Sequence, residues 1–155
     1  MLIPPLKGIP RFDVILLLRA TTPEVLAQLR SSRPWQQANA GFVMTARNTR
    51  RIGDTERTRS ASFLFNHFTA DDPAAAVRVW EELAGWYTAK AGVDNSTLLQ
   101  PTSQAPYALV NYVRLPHGPT RFLLAQLSRP SFHPHVRRRL RDHGMVALPI
   151  LCQPA

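Results

Sequence analysis

The sequence has a single cysteine and no long apolar run. Cys152 stands alone, which excludes an internal disulfide and fits a reducing compartment. The longest apolar run, Val14–Leu18, is far shorter than the roughly 20 residues that a membrane-spanning helix needs. Residues 1–10 lack the charged region, the long apolar region and the small-residue cleavage site of a secretory signal. We therefore predict a cytoplasmic protein with no membrane segment.

The sequence also lacks the signatures of several catalytic and metal-binding classes. It contains no Ser-His-Asp signature, no glycine-rich phosphate loop and no Cys-His pair. Four potential zinc ligands are present, but His-Pro-His is not a recognised ligand spacing and the other two are predicted on a helix end and a strand. These four are His133, His135, His143 and Cys152. We predict no metal site.

Acidic residues are few, and the chain is strongly basic. Nineteen Lys and Arg against ten Asp and Glu give a net charge of +9, which raises the question of an anionic partner. One cluster, Arg47–Arg59, is polar and is predicted to be a loop or linker. The other, Arg137–Arg141, lies on a helix whose buried stripe is formed by Phe132, Val136 and Leu140. We interpret these arginines as a solvated or anion-binding face. Nucleic acid is not a predicted partner, because no zinc-finger spacing or basic heptad accompanies the charge.

The first sixty residues predict a small β-α-β extension followed by the basic linker. The apolar, β-branched run Phe12–Arg19 favours a buried strand. Thr22 is a suitable N-cap for a helix and Pro23 suits its first position. Gly41–Ala46 predicts a second extended segment. This is too little for a domain, so we expect residues 1–60 to pack onto the domain formed by residues 61–155.

The remainder of the chain predicts an α+β domain. Asp72 can cap a long helix that begins at Pro73, and Gly92 is a natural C-terminal stop. A short helix and the basic helix, which Ser131 can cap, come later in the chain. The four predicted strands are Ser62–Thr69, Asn95–Leu99, Tyr107–Arg114 and Met145–Cys152. The resulting order, β-α-β-β-α-β, is the split ferredoxin-like order.

Residues 62–153 resemble the antibiotic biosynthesis monooxygenase family of dimeric α+β barrel domains. The resemblance is carried by four short segments in a matching order: Phe65–Thr69, Trp80–Leu83, Tyr107–Asn111 and Ser128–Phe132. It implies a homodimer in which two sheets face each other to close a barrel, with a pocket between sheet and helices in each chain. Some members oxidise phenolic or anthrone-type polyketides with molecular oxygen and without a metal or flavin. The resemblance therefore implies no cofactor.

The resemblance also implies the residues of the pocket. Asn111 matches a donor on the third strand of the family, and Arg137 is a counterpart of an arginine on the last helix. Leu115 and Phe122 stand where the family usually has a tryptophan and a tyrosine. Asn66 matches an asparagine on the first strand of haem-degrading relatives in the same superfamily. Their haem-ligating histidine has no counterpart here, because the ungapped alignment places Val136 or Arg137 at its position.

We therefore predict that a pocket in this domain binds an aromatic small molecule. Its predicted catalytic residues are Asn111, Asn66 and Arg137, and its predicted substrate contacts are Trp86, Tyr87, His67 and Phe122. Asn66 and His67 are neighbours on one strand, so at most one of them enters the pocket. The two asparagines could instead be buried amides bonded to backbone, and Tyr87 could belong to the core.

The function predicted from the sequence is a cofactor-independent monooxygenase of bacterial secondary metabolism that acts on an aromatic polyketide. A polyketide cyclase and a non-catalytic small-molecule-binding protein of the same fold are the alternatives. Haem degradation and nucleic-acid binding are supported by fewer residues.

Overall fold

The computed structural model describes residues 9–56, 61–115 and 117–154, and the chain divides into two compact units. Arg11–Met44 form the smaller unit, with helices α1 (Pro23–Ser31) and α2 (Arg33–Gln37). The predicted cap is present, since the Thr22 Oγ1 accepts a hydrogen bond from the Val25 backbone N–H at 3.4 Å. The smaller unit is described throughout, and none of its residues is buried.

The strand predicted over Phe12–Arg19 is not formed. These residues have no regular secondary structure, and the side chain of Val14 is 80% exposed. A strand is stable only where a neighbouring strand pairs with its backbone, and the smaller unit has no strand to offer. The second predicted segment, Gly41–Ala46, is a strand only at its last residue, Ala46.

The larger unit contains the strands β1 (Ala46–Ile52), β2 (Ser62–Thr69), β3 (Ser96–Pro101), β4 (Leu109–Leu115) and β5 (Val146–Cys152). They form a five-stranded antiparallel sheet in the spatial order β1-β3-β4-β2-β5. Four of these strands belong to the predicted domain of residues 61–155, and in chain order they are β2, β3, β4 and β5. Their spatial order, β3-β4-β2-β5, is that of the ferredoxin-like fold. The predicted fold is therefore confirmed.

The basic segment predicted to be a linker contains the edge strand β1. Arg47 pairs with Gln100 and Ile52 pairs with Ser96, so the sheet begins N-terminal to the predicted domain boundary at residue 60. The register shifts between Asn48 and Arg50, which breaks the alternation that identifies a strand in a sequence. Residues 57–60 of the predicted linker and the N-terminal residues 1–8 lie outside the described residues.

Helix α3 (Pro73–Ala91) has both predicted ends. The Asp72 Oδ1 accepts hydrogen bonds from the backbone N–H groups of Ala74 at 2.8 Å and Ala75 at 3.1 Å. Gly92 adopts the left-handed conformation with φ 68°, which glycine reaches without a steric penalty. These caps fix where the helix begins and ends on the sheet.

Replacing Asp72 with alanine should lower the free energy of unfolding by about 1 kcal/mol, because two N–H groups of the first turn lose their acceptor. Urea denaturation measures the change. Asp72→Ser keeps an acceptor and should retain most of the stability. Equal losses in the two variants would show that the cap contributes nothing through its hydrogen bonds.

Helix α3 packs against one face of the sheet and forms the main core with it. Its buried side chains meet side chains of the strands and of the C-terminal helical segment. These core residues are Phe68, Ala76, Val79, Trp80, Leu83, Trp86, Leu98, Leu109, Phe132, Val136 and Met145. The remaining helices are α4 (Gly118–Leu127) and a π-helical segment (His133–Arg138) that continues into α5 (Arg139–Asp142). None of the helices in the described ranges is long and apolar enough to cross a membrane.

Candidate functional site

A cavity of about 440 Å³ lies between the helices and the sheet face that carries Asn66 and Asn111. Its volume is within the roughly 300–1,000 Å³ typical of small-molecule sites. Most of its lining is apolar and comes from the side chains Ile52, Leu64, Phe68, Trp80, Leu83, Val93, Val113, Phe122, Phe132, Val136, Leu140, Met145, Val146 and Pro149. A few polar groups interrupt this lining, and they come from several of the strands and helices.

Two amides and a hydroxyl form the floor of the cavity. Asn66 on β2 is directly opposite Asn111 on β4, so the two side chains project from neighbouring strands to the same face. Asn111 is only 7% exposed, and its Nδ2 donates to the Ser96 Oγ at 2.6 Å. The Asn66 Oδ1 is buried and has no hydrogen-bond partner among the described residues. The floor therefore holds one satisfied amide and one unsatisfied acceptor.

A phenol on the helical wall faces the same space. The Tyr87 hydroxyl donates to the Gln126 Oε1 at 3.1 Å, and both residues line the cavity. The Tyr87 ring stacks on Phe122 with centroids 5.8 Å apart. Burial raises the pKa of the Tyr87 phenol well above its ordinary value, because the apolar surroundings disfavour the phenolate. Tyr87 therefore stays protonated, as a neutral donor.

Two arginines from the C-terminal helical segment also line the cavity. Arg137 and Arg141 are four residues apart and both are exposed, so they lie where the cavity meets solvent. Arg141 has a long ion pair with Asp142, at 3.9 Å between Nε and Oδ1. The described residues that line the cavity include no Asp, Glu or His. The mouth of the cavity is therefore electropositive.

Trp86, a predicted substrate contact, does not line this cavity. Its Nε1 donates to the Ser131 Oγ at 3.2 Å, and its ring packs edge-on against Tyr87 with centroids 5.0 Å apart. Ser131 does not cap the basic helix as predicted, because the helical segment is preceded by Phe132 and no side chain accepts from its first N–H groups. Trp86 faces a smaller groove that it shares with His135 and Arg139. Its contact with Tyr87 helps to hold that phenol in place.

His67 also lies outside the cavity, on the opposite face of the sheet. Alternate side chains of a strand point to opposite faces, and Asn66 is the one that enters. The His67 ring is 5% exposed and packs on Tyr107 with centroids 4.8 Å apart. His67 is therefore not a substrate contact in this cavity, contrary to the prediction from the sequence.

The burial of His67 predicts a pH dependence of stability. Burial lowers its pKa below 6.5, since the imidazolium loses hydration. The unfolded chain then binds the proton more readily, so the stability present above pH 6.5 falls as the pH is lowered through that value. The slope approaches about 1.4 kcal/mol per pH unit. Urea denaturation at several pH values should show this slope reduced in His67→Gln and retained in His133→Gln, which changes an exposed histidine. Equal slopes of stability against pH in the two variants would contradict the assignment of this pH dependence to His67.

The other predicted residues are distributed between the cavity and the core. Phe122 lines the cavity, and Leu115 is 2% exposed in a cluster with Val93 and Val113. His133 and His135 lie on the π-helical segment and do not line the cavity. Within the described ranges, no group of three or more His, Cys, Asp or Glu is placed to hold a metal ion.

The sequence analysis missed four polar residues of the lining, which are Thr88, Ser96, Gln126 and Arg141. Ser96 carries no signal of its own in the sequence, because a serine at the start of a strand is common. Gln126 and Arg141 could have been found, since each lies four residues after a predicted site residue, Phe122 or Arg137, and so on the same helix face.

No family model and no curated protein matches the chain. Several solved structures are similar in fold, and two of them have a TM-score of 0.50 or above. SnoaB, a cofactor-independent oxygenase from Streptomyces nogalater, is 24% identical and aligns over 62% of this chain and 94% of its own, with a TM-score of 0.51. A major regulator of staphylococcal pathogenesis is 14% identical over 76% of this chain and 74% of its own, with a TM-score of 0.50. At these identities the likeness establishes the fold.

Proposed function

We propose that the chain is a cofactor-independent monooxygenase of bacterial secondary metabolism that oxidises an aromatic, polyketide-type small molecule. The observation that carries the proposal is the apolar cavity with the paired amides of Asn66 and Asn111 on its floor. The fold it shares with SnoaB, a cofactor-independent oxygenase, supports the same reaction class. It also supports membership of the antibiotic biosynthesis monooxygenase family, which the sequence resembles.

The proposed reaction converts a ring methylene of an electron-rich phenol to a carbonyl. The substrate loses a proton, and its anion gives one electron to O2. The two radicals combine to a peroxide anion, which takes up a proton from water in place of the one first lost and then eliminates water with the second ring hydrogen. One O2 is thus consumed, and one carbonyl and one water are formed. The protein binds the ring in an apolar space and stabilises the anion with the second N–H of the Asn111 amide, whose first N–H donates to the Ser96 Oγ.

The lining constrains how the proton leaves. No Asp, Glu or His of the described residues lines the cavity, so these residues provide no strong general base there. The substrate must therefore be acidic enough to ionise with the help of hydrogen bonds from the cavity alone. The proton then passes to water at the mouth.

Oxygen uptake tests this proposal. The purified protein is mixed with anthrone-type compounds and other polycyclic phenols in an oxygen electrode, and the products are identified by mass. Protein-dependent uptake of one O2 per carbonyl formed supports the proposal. Binding of these compounds without uptake would reject it and leave a binding protein.

A cyclase is the second candidate, and the lack of a lining base among the described residues favours it. A cyclase needs the cavity to orient a reactive polyketide chain, which shape and hydrogen bonds achieve. Its product would be an isomer of the substrate or differ from it by water, and it would form equally well without oxygen. The same incubation under nitrogen therefore separates the two functions.

We also propose that the chain forms a homodimer through the sheet face that carries His67. Phe63 and Phe65 alternate with the cavity residues Leu64 and Asn66, so they lie on that other face, where both are only half-buried. Pairing of two such faces would cover these rings. Light scattering of the purified protein should give about twice the mass of the 17.4 kDa chain. A mass of one chain at micromolar concentration would contradict the dimer.

A further inference from the structure

We propose that the ligand of the cavity carries two polar groups at opposite ends of an aromatic ring system: a hydroxyl that donates to Asn66 and a carboxylate that binds Arg137 and Arg141. The ligand class is a hydroxyaryl carboxylic acid. The inference rests on the proposed function in so far as both use the same cavity.

The hydroxyl end follows from the unsatisfied acceptor on the floor. The Asn66 Oδ1 is buried without a hydrogen-bond partner among the described residues. The Asn111 amide on the opposite strand makes no hydrogen bond to it, and the Asn111 Nδ2 donates instead to the Ser96 Oγ. A buried acceptor is stable only with a donor. A ligand hydroxyl provides one, and an ether or carbonyl oxygen in its place does not.

The carboxylate end follows from the charges at the mouth. The other arginines of this helical segment have acidic partners, as Arg139 has Glu82 at 2.6 Å and Arg138 has Asp142 at 3.5 Å. Arg137 makes no ion pair with any residue in the described ranges, and it lines the cavity together with Arg141. Two guanidinium groups one helical turn apart suit the two oxygens of one carboxylate.

The space between these ends suits a flat ring. The aromatic side chains of Tyr87 and Phe122 stack on each other, and Phe132 contributes a third ring to the lining. A carboxylate held at the mouth would orient the ring and bring its hydroxyl to Asn66. The ligand would thus bind in a single direction.

Three naphthalene probes test each end separately. 6-Hydroxy-2-naphthoate has both groups, 6-methoxy-2-naphthoate keeps the carboxylate but cannot donate, and 2-naphthol keeps the hydroxyl but has no carboxylate. Calorimetric titration of the intact protein at neutral pH, without oxygen, measures binding alone. We expect the first probe to bind about tenfold more tightly than either of the others. Equal affinity for the hydroxy and methoxy acids would overturn the proposed hydrogen bond to Asn66. Equal affinity for 6-hydroxy-2-naphthoate and 2-naphthol would overturn the proposed carboxylate contact with the arginines.

Variants assign each preference to its residues. Asn66→Ala should remove the preference for hydroxyl over methoxy, and Arg137→Gln with Arg141→Gln should remove the preference for the acid. Arg138→Gln is the matched control, since Arg138 lies on the same helical segment outside the cavity lining, and it should bind all three probes as the parent does. A loss of acid preference in Arg138→Gln as large as in the double variant would overturn the assignment. Oxygen uptake is measured independently, so ranked binding without uptake rejects the monooxygenase and keeps this inference.

Discussion

Replacing Asn111 with alanine should lower the rate of oxygen uptake at saturating substrate by about a hundredfold, while it lowers the free energy of unfolding by only about 1 kcal/mol. The stability cost is small because one buried hydrogen bond, to the Ser96 Oγ, is lost. The loss of rate is large because a fixed donor aimed at developing negative charge typically contributes about a hundredfold or more. Oxygen-electrode rates and urea denaturation of the same preparation measure the two effects.

Thr97→Ala is the matched control for this variant. Thr97 is buried on the same sheet and its hydroxyl is also hydrogen-bonded, to the Thr55 Oγ1 at 3.0 Å and to Tyr112, but it points away from the cavity. It should lose a similar amount of stability and keep its rate of oxygen uptake. An equal loss of rate in both variants would assign the effect to general destabilisation and remove Asn111 from the mechanism.

Replacing Gly53 with alanine should lower the free energy of unfolding by about 3 kcal/mol. Gly53 follows β1 with φ 55°, a conformation that costs a side-chain-bearing residue free energy. A Cβ at this position would also overlap the backbone oxygen of Asp94, which cannot move as freely as the end of a side chain. The clash adds to the conformational cost, and urea denaturation measures the sum.

Gly92→Ala separates the two costs. Gly92 has a similar φ of 68°, but a Cβ there would have no atom within 4 Å. Only the conformational cost applies, so the expected loss is about 1 kcal/mol. If the two variants lost the same stability, the close approach of Gly53 to Asp94 would not be a packing constraint.

The fold was predictable from the sequence where local signals agree with tertiary packing. Helix α3 has an N-cap at Asp72, a proline in its first turn and a glycine at its end, and the structure has the same bounds. Strand β2 was predicted at Ser62–Thr69, as observed, since it is aromatic and is followed by turn residues. These elements carry most of the core.

Two segments were predicted wrongly for opposite reasons. Phe12–Arg19 has the composition of a strand but lacks a partner, and composition cannot reveal whether one exists. The strand β1 has a partner in β3 but is polar, arginine-rich and interrupted by a register shift. Pairing between residues distant in the sequence decides both cases, and it leaves no local pattern.

The candidate site was predicted in part. Asn66, Asn111, Tyr87, Phe122 and Arg137 all line one cavity, but whether they bind or transform a ligand stays a prediction. Trp86 and His67 were misplaced because a side chain's direction depends on helix packing and on strand alternation. Helix packing is not visible in a sequence. Strand alternation places Asn66 and His67 on opposite faces of the sheet but does not show which of the two enters the cavity.

The smaller unit has a consequence for how the whole chain responds to denaturants and heat. None of its residues is buried, so its unfolding exposes little additional apolar surface. The m-value and the heat-capacity increment of unfolding scale with newly exposed surface. Both quantities will therefore be smaller than a chain of 155 residues normally shows. The cooperative transition of this protein reports on the sheet and its helices, while α1 and α2 can melt without being seen in it.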